Sequence, residues 1–134
     1  MSDTVVVGWV HSPEGQAAVD AAVEEVRRRH GQLLVVHSSR GGRSEEPEEA
    51  QDASEGLTEL ERTLGEQGIR VETRYFARGN DPVDDLLDVA EKEDAALIVI
   101  GLRRRSPVGK LLLGSNAQDI LLRADRPVLA VKAP

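Results

Sequence analysis

Cysteine is absent from the sequence, which excludes disulfide bridges, thiolate metal sites and cysteine nucleophiles, and leaves only histidine and carboxylates to hold a metal. Aromatic residues are nearly absent as well: Trp9, Tyr75 and Phe76 make up the 2%. Stacking platforms for single-stranded nucleic acid need several aromatic faces. A flavin flanked by aromatics is disfavoured too, and the core has to be Val, Leu, Ile and Ala. Basic residues are in the minority, 17 Lys and Arg against 24 Asp and Glu, and the net charge of −7 argues against a generic nucleic-acid partner. No stretch approaches the ~18 consecutive apolar residues of a membrane span. Met1-Ser2-Asp3-Thr4 does not open like a secretory leader, so the expectation is a cytoplasmic protein with no membrane partner.

What is present suits one soluble domain spanning residues 1–134, with 40% hydrophobic and 31% charged residues. Thr4 to Val10 is a nearly continuous β-branched apolar run, the pattern of a strand buried on both faces of a parallel sheet. Ser12-Pro13 then supplies an N-cap and a first helical residue, and Ala18, Ala22 and Val26 carry a helical stripe towards His30, with Gly31 placed to end it. Leu33 to His37 reads as a second strand. Glu45 to Glu61 holds eight acids and no base, yet Ala50, Ala53, Leu57, Leu60 and Leu64 recur at helical spacing, which predicts an amphipathic helix with an acidic solvated face. A strand over Ile69 to Phe76 follows. Asp81-Pro82 opens a helix that carries Val83, Leu86, Leu87 and Ala90 inward.

Ala96 to Ile100 is the most apolar strand and is expected to end at Gly101; a short helix from Ser115 to Arg123 and a last strand from Pro127 to Lys132 close the chain. This rhythm predicts an α/β fold: a five-stranded parallel open sheet with right-handed crossovers and helices on both faces. Ligands in such sheets bind beyond the carboxyl ends of the strands, where the strand order reverses. The loops to read are therefore Val10 to Ser12, Ser38 to Arg43, Ala77 to Asn80 and Gly101 to Ser115.

The last of these carries Arg103, Arg104, Arg105 and Lys110 and no acid, a local charge of +4 on a chain whose remainder is −11. It runs into a helix N-terminus at Gly114-Ser115-Asn116, where unpaired N–H groups and the helix dipole favour an anion such as phosphate. The alternative is structural: the arginines cover the sheet edge or pair with the acids of the second helix. Neither G-x-G-x-x-G nor the P-loop pattern occurs.

The stretch GLRRRSPVGKLLLGSNAQDIL, with RPVLAVK after it, resembles the universal stress protein family, whose nucleotide-binding members carry G-x2-G-x9-G-(S/T) in this loop. Gly101, Gly114 and Ser115 match that motif in type and spacing. The resemblance extends over the chain, through VVVGWVHSPEG at the start and GNDPVDDLLDVAEKEDAALIVIG in the second half. It implies a Rossmann-like fold of the adenine-nucleotide-binding type. Ser38 would set backbone groups against adenine, Trp9 and Val10 would line the base and ribose side, and Gly101, Arg103, Gly114, Ser115 and Asn116 would meet the phosphates. Trp9, the sole tryptophan, would then stand at the rim as a fluorescent reporter.

Two departures bear on this. Arg104 replaces the second motif glycine, where it either obstructs the phosphate path or supplies a guanidinium donor. Val10 replaces the acid that commonly ends the family's first strand near the ribose. A tenfold loss of affinity is about what these changes imply.

Catalysis finds little support. No G-x-S-x-G elbow exists, His11 and His37 read as structural strand-end residues, no metal-ligand spacing is present, and Asp84 and Asp88 read as a solvated helix face. A receiver domain would need an acidic pair after the first strand, where Val10-His11 stands instead. The expectation is a non-enzymatic regulatory or stress-response module that binds ATP or a related adenine nucleotide such as AMP or cyclic AMP, with any hydrolysis slow and incidental and the need for Mg left open. The resemblance implies a homodimer through the apolar C-terminal strand. A dimeric adaptor that has lost nucleotide binding is the alternative.

Overall fold

A computed structural model describes residues 3–39, 47–77, 79–103 and 113–133. Strands and helices alternate along the chain: β1 (Thr4–Gly8), α1 (Pro13–Arg29), β2 (Gln32–Ser38), α2 (Pro47–Glu66), β3 (Val71–Phe76), α3 (Pro82–Lys92), β4 (Leu97–Leu102), α4 (Ser115–Arg123) and β5 (Val128–Lys132). The strands form one parallel sheet in the order β3-β2-β1-β4-β5.

The strands alternate side chains between two cores. Val5 and Val7 of β1, with Leu33 and Val35 of β2, meet Ala18, Val19 and Ala22 of α1 and Ala53 and Leu57 of α2. Val6, Leu34, Val36, Ile98 and Ile100 face the opposite way, onto Val83, Leu86 and Val89 of α3 and Ile120 of α4. Both faces of the central strands are buried, and this explains why their sequences run apolar without a polar alternate.

The helix starts follow the capping rules. Ser12 accepts from the Gly15 N–H at 3.3 Å with Pro13 at the first turn, and Asp81 accepts from the Val83 N–H at 2.8 Å ahead of Pro82. The end of α1 departs from expectation. His30, not Gly31, takes the left-handed conformation, at φ 52°. Gly31 answers a different demand, because a Cβ there would stand 1.9 Å from the Asp3 carbonyl oxygen. The chain needs a glycine at 31 to bring the helix end against the start of β1.

Several boundaries move by a residue or two. β1 stops at Gly8 rather than Val10, although the Trp9 N–H still donates to the Val36 carbonyl at 2.9 Å. β3 starts at Val71, with Ile69 buried just ahead of it. β4 continues to Leu102, so Gly101 is a strand residue paired with Val131 and does not begin the loop. The acidic segment is helical from Pro47 onward; Glu45 and Glu46 lie outside the described residues.

Candidate functional site

The sheet order reverses between β1 and β4. From β1 the chain turns through α1 to β2 on one side, and from β4 it turns through α4 to β5 on the other. The two connections diverge at the carboxyl ends of these strands and leave a depression between them, as expected at a topological switch point.

The depression has two parts. A slot of about 140 Å³ lies between the ends of β1, β2 and β4 and the helices α3 and α4, walled by Val36, Val83, Leu86, Ile100 and Ile120. Beside it a wider cleft of about 610 Å³ is lined by Leu102, Arg103, Leu113, Gly114 and Ser115. Val10, Gly101, Asn116 and Ala117 border both, so the two form one continuous site. The slot is apolar, while the cleft holds a cation and a helix N-terminus.

Of the residues singled out in the sequence, Trp9, Val10, Ser38, Gly101, Arg103, Gly114, Ser115 and Asn116 all border this site. Arg104 lies outside the described residues, as do Arg105 and Lys110. Proximity is not the same as role, and three positions differ from expectation.

Trp9 borders the slot, but its indole does not stand at the rim. It continues the odd-numbered alternation of β1 and joins the core on the α1/α2 face, 4% exposed. There it stacks on His11 at 5.5 Å and meets His37 edge-on at 5.7 Å. His37 Nδ1 lies 3.0 Å from the Trp9 carbonyl oxygen, and both histidines are thus engaged in holding Trp9.

Gly101 matches the motif, yet its absent side chain serves packing. A Cβ at 101 would stand 2.1 Å from the Glu14 carbonyl oxygen, and one at Gly15 would stand 1.8 Å from that of Val10. These two glycines let the first turn of α1 press against the ends of β1 and β4. Gly114 is the opposite case. It caps α4 with φ −67°, no side-chain hydrogen bond supplements it, and a Cβ there would meet nothing within 4 Å. Neither backbone conformation nor contact within the described residues requires a glycine at 114.

Arg103 is already engaged. Its Nε donates to Glu14 Oε1 at 2.6 Å, with the Glu14 side chain 11% exposed. Burial pushes the Glu14 carboxyl up, but hydrogen bonds from Arg103, its own backbone N–H and Ser12 outweigh this, and its pKa is held below the ordinary 4.5. The pairing with an acid that was one reading of the basic cluster is realised at Arg103, although the acid belongs to α1 and not to α2.

Glu14, Gly15 and Asp85 were not singled out from the sequence. Asp85 is 2% exposed and accepts from Ser38 Oγ at 2.6 Å. Its signal was available, since it stands one turn before the buried Val89 on the apolar stripe of α3. Asp84 and Asp88 lie outward instead, paired with Arg123 and Lys92. Among the described residues no group of three or more His, Asp or Glu could hold a metal ion, and no helix is long and apolar enough to cross a membrane.

Fold and site together define a doubly wound α/β domain with a ligand cleft at its switch point. Residues 1–132 match the model of the universal stress protein family, and the chain belongs to that family. It is 41% identical over 128 residues to a universal stress protein of Mycolicibacterium smegmatis, covering 96% of each chain. The structure of a universal stress protein from Archaeoglobus fulgidus superposes with a TM-score of 0.84 at 37% identity, over 98% of this chain and 99% of that one. Another from the same organism, solved in complex with dAMP, gives 0.76 at 32% identity over 98% of each chain.

Proposed function

We propose that this domain binds an adenine nucleotide in the depression between β1 and β4, with the base in the apolar slot and the phosphates at the start of α4. The observation that carries this reading is Gly114. Nothing among the described residues requires a glycine there, and it opens a helix N-terminus onto a cleft whose 610 Å³ is of small-molecule size. A phosphate oxygen approaching the first-turn N–H groups of α4 needs the space a side chain would fill. Ser115 and Asn116 add polar groups beside it. The related protein solved with dAMP supports an adenine ligand.

ATP, AMP and cyclic AMP share the base and differ in the charge offered to α4. Val10 is 45% exposed and puts an apolar surface where a carboxylate would hold ribose hydroxyls, so the affinity is moderate, in the micromolar range. The proposed role is regulatory and not enzymatic: Glu14, a carboxylate that lines the cleft, is held by Arg103. The proposed setting is the cytoplasm, as a homodimer through β5, whose outer edge has no strand neighbour among the described residues. The engagement of Arg103 by Glu14 favours the second reading, an adaptor that has given up nucleotide binding.

Calorimetric titration with ATP, AMP and cyclic AMP separates the two. Mass spectrometry of the freshly purified protein for carried nucleotide is the companion measurement. Heat from at least one nucleotide supports the first reading, whereas silence with all three and no carried nucleotide overturns it. Sedimentation across a concentration series tests the dimer, and a persistent 14.6 kDa species refutes it.

A further inference from the structure

The Ser38 side chain stands between the slot and a buried carboxylate. Even-numbered residues of β2 face α3: Leu34 and Val36 enter that core, and Ser38 follows them at the strand end, on the wall of the slot. Its hydroxyl donates to Asp85 Oδ2 at 2.6 Å, while Asn80 Nδ2 donates to Asp85 Oδ1 at 3.4 Å. Asp85 occupies the first turn of α3, where the helix dipole favours negative charge. Both its oxygens accept, Oδ2 from the Ser38 hydroxyl and Oδ1 from the Asn80 amide.

A hydroxyl carries one proton and two lone pairs. With the proton turned to Asp85, the Ser38 side chain can offer the slot only lone pairs. We propose that Asp85 fixes Ser38 as a hydrogen-bond acceptor that selects the base: a purine with an exocyclic amine at this point is accepted, and one with a carbonyl is rejected. The inference rests on the nucleotide reading of the cleft and adds its basis of choice among purines. An amine donates to Ser38, whereas a carbonyl would set two acceptors against each other in an apolar slot, leaving both unsatisfied. Ser38 is the contacting residue and Asp85 the positioning residue. The hydroxyl, not only the backbone at 38, is what reads the base.

AMP and IMP, which carry an amine and a carbonyl at the same ring position, are the probes. Calorimetric affinities for both are measured on the wild type, Ser38→Ala and Asp85→Asn, with thermal unfolding of each protein alone. The wild type favours AMP by about tenfold or more. Ser38→Ala brings the ratio close to one, weakening AMP about three- to tenfold through loss of its acceptor and strengthening IMP through removal of the opposed acceptor. In Asp85→Asn the amide donates to Ser38 Oγ and releases the hydroxyl proton to the slot, so the ratio shifts towards IMP, which loss of fold stability would not produce. An AMP:IMP ratio unaltered by Ser38→Ala overturns the inference while leaving nucleotide binding intact. A wild type that binds neither compound overturns the nucleotide reading and this inference with it. Should Asp85→Asn not fold, the ratio in Ser38→Ala decides alone.

Discussion

The carbonyl oxygen of Glu14 lies 2.1 Å from the point where a Cβ at Gly101 would stand. The opening turn of α1 is therefore seated against the backbone of β4, and the same glutamate reaches forward with its carboxylate to Arg103. One residue thus contributes backbone packing beneath the site and an ion pair at its edge.

This contact separates the two motif glycines. Gly101→Ala forces the first turn of α1 off β4 and costs about 2–3 kcal/mol, the upper part of the range for overpacking. Gly114→Ala costs no more than about 1 kcal/mol, the penalty of alanine at an N-cap in otherwise open space. It lowers nucleotide affinity about tenfold, by filling the phosphate approach. Urea unfolding paired with calorimetry checks both. Equal loss of stability in the two variants would sink the distinction.

Glu14 also sets a pH dependence. Its folded pKa lies below 4.5, so the stabilisation from its pairing is complete at neutral pH and is lost as pH falls from about 4.5 through the lower folded value. Arg103 is half exposed, which limits the pair to about 1 kcal/mol or less. Glu14→Gln accordingly makes the acid limb of the stability profile shallower and leaves the neutral and alkaline limbs parallel to the wild type. Chemical denaturation from pH 3 to 7 measures this.

Much of the architecture was readable from residue pattern because each strand of the sheet's centre is buried on both faces, and α1 and α3 open on the capping signals Ser12-Pro13 and Asp81-Pro82. The loops around the site were readable because strand ends dictate where a parallel sheet binds. Roles within them were not. Whether Gly101 serves a ligand or a neighbouring carbonyl depends on a contact with Glu14, 87 positions away in the chain. Trp9 was misplaced because the strand ends at Gly8 while the alternation of faces continues past it, carrying the indole across the sheet. Asp85 was passed over because its neighbours Asp84 and Asp88 share the outward face that acids ordinarily occupy.

Trp9 leads to a prediction about α2. A Cβ at Gly56 would approach the far edge of its indole to 2.7 Å, whereas one at Gly65 meets nothing within 4 Å. Gly65→Ala raises stability by about 0.5 kcal/mol through reduced chain entropy of the unfolded state. Gly56→Ala gains up to about 1 kcal/mol in helix propensity but is outweighed by overpacking, for a net loss of about 1 kcal/mol. Tryptophan emission shifts in the second variant and not in the first. Thermal melts followed by fluorescence test both at once.

The end of α1 offers a similar pair. Gly31→Ala drives a methyl group into the Asp3 carbonyl and destabilises by about 2 kcal/mol. His30→Gly relieves a left-handed residue and changes stability by no more than about 0.5 kcal/mol, strain relief being offset by chain entropy. Guanidinium unfolding of the two variants ranks them. A costlier change at His30 would contradict the assignment of the turn.

The two rims of the sheet are not equivalent. Along β3, Arg74 is tied to Glu72 and to Glu93 at 2.7 Å, and Thr73 bonds Glu61 at 3.2 Å, so an incoming strand would have to displace charges. β5 offers Val128, Leu129, Ala130 and Val131 with only Lys132 to interrupt them. A two-fold pairing of β5 with itself would use up its own adhesive edge on both molecules, leaving a guarded border at each end of the joined sheet. Growth of the sheet would then terminate at a pair of chains, and the asymmetry that allowed such a pairing would also keep it from becoming a fibre.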